Sequence, residues 1–148
     1  MKKYPCTLKQ FLLLGQLGFL EIGMPQQEVE ARLGKPQRKI GTGAWEYYSV
    51  EMWWDTKQRI DVLILNMFLY PAITLPEPLG VYDYFPGRYT TLSDIQTYLA
   101  LEGIQYMVSE HTVHQGITLE IDSPIDMLLS FRGYDDNAEL ATICCCDL

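Results

Sequence analysis

From Gly116 to Asp122 the chain alternates without a break, with Ile117, Leu119 and Ile121 on one side and Thr118, Glu120 and Asp122 on the other. A period of two belongs to a strand with one face buried and one in water, so residues 116–122 are predicted as a strand with Ile117, Leu119 and Ile121 inward. Elsewhere the apolar period is that of a helix. Leu8, Phe11 and Leu12 share one face of a segment that opens on Thr7-Leu8-Lys9-Gln10, the form of a capping box, and meets a stop at Gly15. Leu92, Ile95 and Leu99 form a stripe after Thr91, the expected cap, with Asp94 favoured in the first turn and Gly103 as the stop. Val29 and Leu33 stand four apart, followed by Gly34 and then Pro36, which forbids continuation. Helices are therefore predicted at 8–14, 25–33 and 92–102.

Two further segments, 44–54 and 60–68, are rich in aromatic and branched residues and carry apolar side chains on both faces. They read as central strands, or strands with one face under helices, joined by a hairpin turn at Asp55-Thr56-Lys57-Gln58. Strands are also expected at 104–110, 127–132 and 140–146, the last two joined by an acidic turn at Asp135-Asp136-Asn137. Tyr70 to Tyr89 has four prolines and no clean period; a loop of that length inside a compact domain is often functional, and a short extra strand is an alternative for part of it. The order predicts an α+β protein, a single domain over 1–148 with one antiparallel sheet and helices packed on one face. It divides into two degenerate helix-then-strands units, 1–70 and 91–148, with an aromatic and proline-rich connection at 71–90.

The stretch Gly23-Met24-Pro25 through Val29, Leu33, Gly34 and Pro36, followed by Trp45-Glu46-Tyr47, resembles the helix–turn–strand signature of the SmpA/OmlA (BamE-like) superfamily, "G-M-x-x-x-x-V-x-x-x-L-G-x-P … W-x-Y". The resemblance covers roughly residues 16 to 66 and makes 1–70 the BamE-like unit. Pro25 departs from the pattern, which usually has Ser or Thr there as cap. Small bacterial proteins similar in fold include the beta-lactamase inhibitor proteins, built from two such units, and immunity proteins of polymorphic toxins. The resemblance implies an antiparallel α+β fold and a role in binding another protein.

Charge narrows the partner. Residues 1–74 carry nine Lys/Arg against seven Asp/Glu, whereas residues 75–148 carry two against twelve. An acidic half argues against nucleic acid or an anionic membrane and fits a basic protein partner, or simply a solubilising surface. The apolar run from Ile60 to Tyr70 is interrupted by Asp61 and Asn66, too short and polar for a bilayer span. Met1 to Cys6 lacks the apolar core of a signal peptide, unlike the exported lipoproteins of the BamE-like group, so the cytoplasm is the expected location. Cys6, Cys144, Cys145 and Cys146 suit neither a disulfide framework nor a zinc site, since neighbours in a strand point to opposite faces and no C-x-x-C spacing is present. They read as free, apolar core residues in a reducing compartment.

Nothing in the sequence calls for a cofactor, a metal or a catalytic role. His111 and His114 are three apart without the intervening Glu of a zincin helix; Glu110 is the one candidate third ligand, and a hairpin tip is the plainer reading. Glu46, Glu51 and Asp61 lie by the apolar strands, where a shifted carboxyl could serve acid–base chemistry, but they read as outward-facing strand residues. Of Trp53 and Trp54 one should enter the core, and Trp54 is taken as a partner anchor together with Tyr82, Tyr84 and Phe85 of the connection. Asp135, Asp136 and Glu139 supply a charged rim. The expected function is a cytoplasmic protein-binding module, foremost an immunity protein neutralising a basic bacterial toxin domain. The alternatives are an intracellular assembly scaffold and a small enzyme or ligand binder; oligomeric state is left open.

Overall fold

The computed structural model describes residues 3–110 and 115–146. The elements in order are β1 (Tyr4–Cys6), α1 (Leu8–Leu14), α2 (Gln26–Leu33), β2 (Arg38–Ile40), β3 (Ala44–Tyr47), β4 (Val50–Trp54), β5 (Ile60–Asn66), β6 (Leu79–Val81), α3 (Leu92–Glu102), β7 (Tyr106–Val108), β8 (Thr118–Ile121), β9 (Asp126–Arg132) and β10 (Glu139–Cys146). The class is α+β. β2 to β5 and β7 to β10 form one antiparallel sheet in the order β2-β3-β4-β5-β10-β9-β8-β7, and β1 pairs in parallel with β6.

Local signals place the helices. Thr91 and Asp94 exchange both bonds of a capping box at the start of α3. Thr7 caps α1 through the Gln10 N–H, but the Gln10 side-chain amide donates to Gln16 instead of returning to the cap. Pro25 is itself the N-cap residue of α2 and makes no side-chain bond; Glu28 in the first turn and its ion pair with Arg32 support the helix instead. The two ends of the helix–turn–strand signature meet, because the Tyr47 hydroxyl donates to the Gly34 carbonyl at 2.7 Å while Trp45 packs edge-on against Trp54 at 5.0 Å.

The strand expected over 44–54 is a hairpin of two, β3 and β4. Its turn at Tyr48-Ser49 puts Tyr48 at φ 54 without a glycine. Long-range bonds hold it there: Tyr48 N–H to the Gln37 side chain, Ser49 N–H to the Thr74 carbonyl, and Asn66 N–H to the Ser49 carbonyl. The strands β1 and β2 are further additions, each of three residues and too short to show a period, while β6, which pairs with β1, is the short extra strand that the sequence allows as the alternative for part of the 70–89 segment. The strand expected over 104–110 contracts to 106–108, and Ile104 enters the core.

Ile64 faces Cys144 at the centre of the sheet, and from this pair outward the halves repeat one register. Glu51 and Leu128 stand next, then Glu46 and Glu120, then Arg38 and Met107. Each central strand carries a bulge at the corresponding place: the register skips Asp61 between β4 and β5, and Ala141 between β9 and β10. A one-residue bulge swaps faces, which turns Ile60 and Leu140 back into the core. The helices are attached alike. In the first half Gln26 N–H bonds to Gln58 and Ile60 N–H to Met24; in the second Leu92 N–H bonds to Ala138 and Leu140 N–H to Thr90.

One core cluster joins Leu8, Phe11 and Leu12 of α1, Val29 of α2, and Leu92, Ile95 and Leu99 of α3 to the sheet face carrying Met52, Leu63, Leu65, Leu129, Phe131, Ile143 and Cys145. Val62, Ile64 and Leu128 lie outside that cluster, on the opposite face. Thr118, expected outward, is fully buried although it points away from the helices. Gly116 bridges to Gly133 so closely that a Cβ there would clash with the Phe131 carbonyl oxygen.

Candidate protein-binding face

The face turned away from the helices is built from alternate residues of adjacent strands, so its chemistry runs in rows across the sheet. One row crosses all eight strands: Arg38, Glu46, Glu51, Ile64, Cys144, Leu128, Glu120, Met107. Its middle is apolar and its flanks are carboxylates. With strands about 4.8 Å apart, Glu51 and Glu120 stand about 19 Å from each other. A second row, Asn66, Thr142, Ser130 and Thr118, is all hydroxyl and amide. On the other side of the apolar middle Trp53 pairs with Val62, and Cys146 with Asp126.

The rows enclose a hollow of about 270 Å³ over Ile64, Cys144 and Leu128, bordered by Glu51, Asn66 and Phe68. Arg132 lies over the Phe68 ring at 5.0 Å and reaches Glu139 at 3.9 Å, so the rim is a cation held between an aromatic face and a carboxylate. Arg38 pairs with the buried Glu46 at 2.9 Å. With these cations engaged, Glu51, Glu120 and Asp126 leave the face negative. The Cys144 thiol is pushed up to about 12 by burial, and then by the neighbouring Cys146 and Cys145. At neutral pH it is a thiol, a poor nucleophile and a poor ligand in that form.

Of the expected anchor residues, Trp54 lies on the helix-covered face, half-buried against Trp45 and the core. It is Trp53 that stands out, 40% exposed, with its indole N–H donating to Glu51 at 3.0 Å. The aromatic loop sits on the other layer of the molecule. Tyr82 is exposed where its N–H bonds to Cys6, Phe85 packs on the core, and Tyr84 stacks with Tyr98 of α3 at 5.0 Å. The acidic turn lies beside the start of α3, where the Asp136 carbonyl accepts the Ser93 N–H and Glu139 bridges to Thr91. Asp135 is spent on its own turn, accepting the Asn137 N–H. The structure therefore brings Tyr84 and the Asp136 backbone to one helix, leaves the Glu139 carboxylate with Arg132 at the rim of the sheet face, and puts Trp54 on the core side.

Sequence reasoning missed Glu51, Trp53, Ile64, Phe68, Glu120 and Leu128 as one surface. Alternation within β4 and β5 shows which residues share a face, but the row exists only through pairings across the sheet. Glu46 and Glu51 are cross-strand neighbours, Glu46 buried in its ion pair with Arg38 and Glu51 at the border of the hollow holding the Trp53 indole, while Asp61 is the exposed bulge residue and stands apart from them. His111 and His114 lie outside the described residues.

The chain matches no family model, no curated protein and no solved structure. Among the described residues no helix is long and apolar enough to cross a membrane.

Proposed function

We propose that this chain is a protein-binding module that acts by occluding a basic partner, and specifically an immunity protein that neutralises a bacterial toxin in the cytoplasm. The observation that carries the reading is the face of the eight-stranded sheet turned away from the helices, where half-buried Val62, Ile64 and Leu128 and exposed Trp53 and Phe68 lie outside the helix-packed core between flanking carboxylates. An apolar strip with a charged rim is the anatomy of an interface. Eight strands span about 34 Å, enough width for the roughly 800 Å² that a standard partner covers. The hollow of about 270 Å³ suits one large side chain of a partner better than a small molecule, whose pockets start near 300 Å³. Occlusion needs no chemistry from this chain, which accords with a Cys144 held as thiol. The resemblance of residues 16 to 66 to a group that includes immunity proteins supports the toxin as partner.

The test is capture at low salt from the native organism, with Leu128→Glu and Trp53→Ala run beside the wild type. Both variants should stay folded in urea unfolding, Trp53→Ala nearest the wild type and Leu128→Glu lower because the new carboxylate faces Glu120, and both should lose the partner. Coexpression with a toxin domain encoded beside this chain should restore growth with the wild type and fail with Leu128→Glu. A partner held equally by both variants would place recognition elsewhere, and capture without growth rescue would favour an assembly scaffold using the same face.

A further inference from the structure

On the far side of α3 from the sheet lies a second concavity. The helix buries Leu92, Ile95 and Leu99, which leaves Asp94, Tyr98 and Leu101 as a stripe on its other side. The 71–90 segment stands against that stripe, and together they form a groove of about 630 Å³ walled by Pro71, Tyr84, Tyr89, Tyr98 and Leu101, with Asp94 in its lining. Leu101 is 81% exposed and Tyr89 66%, so these side chains serve no core.

The groove is formed in advance. Arg88 N–H bonds to Pro71, Ala72 bridges to Gly87, Gly87 N–H bonds to the Thr90 hydroxyl, and Leu140 N–H ties Thr90 to the sheet. A tethered wall lowers the ordering cost of binding.

Its electrostatics select the occupant. Asp94 lines the groove with one oxygen taken by the Thr91 N–H, and the charges of Glu102 and Asp83 reach the Tyr98 hydroxyl. The Tyr98 hydroxyl is pushed up to about 12, first by burial and then by Glu102 and Asp83, and Tyr84 is raised by burial and by Asp94 against a lowering bond with Thr90. Two cations stand nearby: Lys9 is paired with Glu102 at 3.5 Å, and Arg88 lies over Tyr89 at 5.6 Å. Tyrosine walls with hydroxyl donors suit proline rings and the exposed carbonyls of a polyproline II chain, and carboxylates at the rim suit arginine.

We propose that this groove is a second binding site, separate from the sheet face, for an extended arginine- and proline-bearing segment of a partner protein. Two-dimensional NMR of the full chain, titrated with a capped peptide of Arg-Pro-Pro repeats, tests it. Saturable shifts confined to α3 and residues 71–90, weakened by salt, are expected. Tyr89→Ala and Leu101→Lys alter exposed positions, so the fold should hold while affinity falls about tenfold or more. A matched peptide of Glu-Pro-Pro repeats should leave the spectrum unchanged. No shifts at millimolar peptide, shifts on the sheet face instead, an equal response to the acidic peptide, or unaltered affinity in both variants would each overturn the proposal.

Discussion

Gly15 and Gly103 end α1 and α3 in almost the same left-handed conformation, φ 66 and ψ 22 against φ 67 and ψ 28. They differ in the space around them. A Cβ at Gly103 would meet nothing within 4 Å, whereas one at Gly15 would lie 2.8 Å from Cys145 Sγ and 2.9 Å from Ile125 Cδ1. Alanine in this backbone region costs about 1–2 kcal/mol, offset by roughly 0.4–1 kcal/mol from the stiffer unfolded chain. Gly103→Ala should therefore destabilise by about 1 kcal/mol. Gly15→Ala carries the same term and adds the strain of overpacking a filled site, about 1–3 kcal/mol, for a total of about 2–4 kcal/mol. Urea unfolding of both variants measures the difference, provided the slopes match the wild type. Adding Cys145→Ala to Gly15→Ala should recover part of the loss, because one of the two clashing atoms is removed. Equal costs at the two glycines would refute the docking of the end of α1 against β10, and with it the placing of that helix on the core face.

The tryptophan pair should separate by role: Trp54→Ala removes a ring from the core margin and should cost about 2–4 kcal/mol in urea unfolding, while Trp53→Ala should stay within about 0.5–1 kcal/mol and act on partner binding. The reverse order of stabilities would invert the assignment of the two faces. Burial raises the thiols of Cys6 and Cys144 from an ordinary 9.0 to about 11 and about 12. Above pH 9.0 the unfolded chain sheds these protons while the folded chain keeps them, so their contribution is complete below pH 9.0 and is lost as pH rises through about 11 and 12. Urea midpoints should fall on alkaline titration, less so in Cys144→Ala, and thiol titration after denaturation should count all four cysteines as free.

The helices are legible in the chain alone, because their signals are local. Thr91, Asp94 and Gly103 bound α3, and Thr7 and Gly15 bound α1, within a few residues of the bonds they make. The strand character of β5, β8, β9 and β10 and the buried sides of α1 and α3 are legible as well, since period and branching are properties of short windows. The Asp55 turn was legible for the same reason: its carboxylate accepts the N–H groups of Lys57 and Arg59, close by in the chain.

The remaining features depend on contacts between distant parts of the chain. The break between β3 and β4 has no turn residue to announce it, because Tyr48 is held at positive φ by partners such as Gln37 and by a turn that Thr74 and Asn66 secure. The bulges at Asp61 and Ala141 reverse the faces of Ile60 and Leu140, which no alternation pattern foresees. Which tryptophan faces out, and which carboxylates flank the apolar strip, follow from registers that join residues as distant as Ile64 and Cys144. A surface made of rows across a sheet is a property of pairing between strands, and pairing over such separations leaves no mark within any one segment.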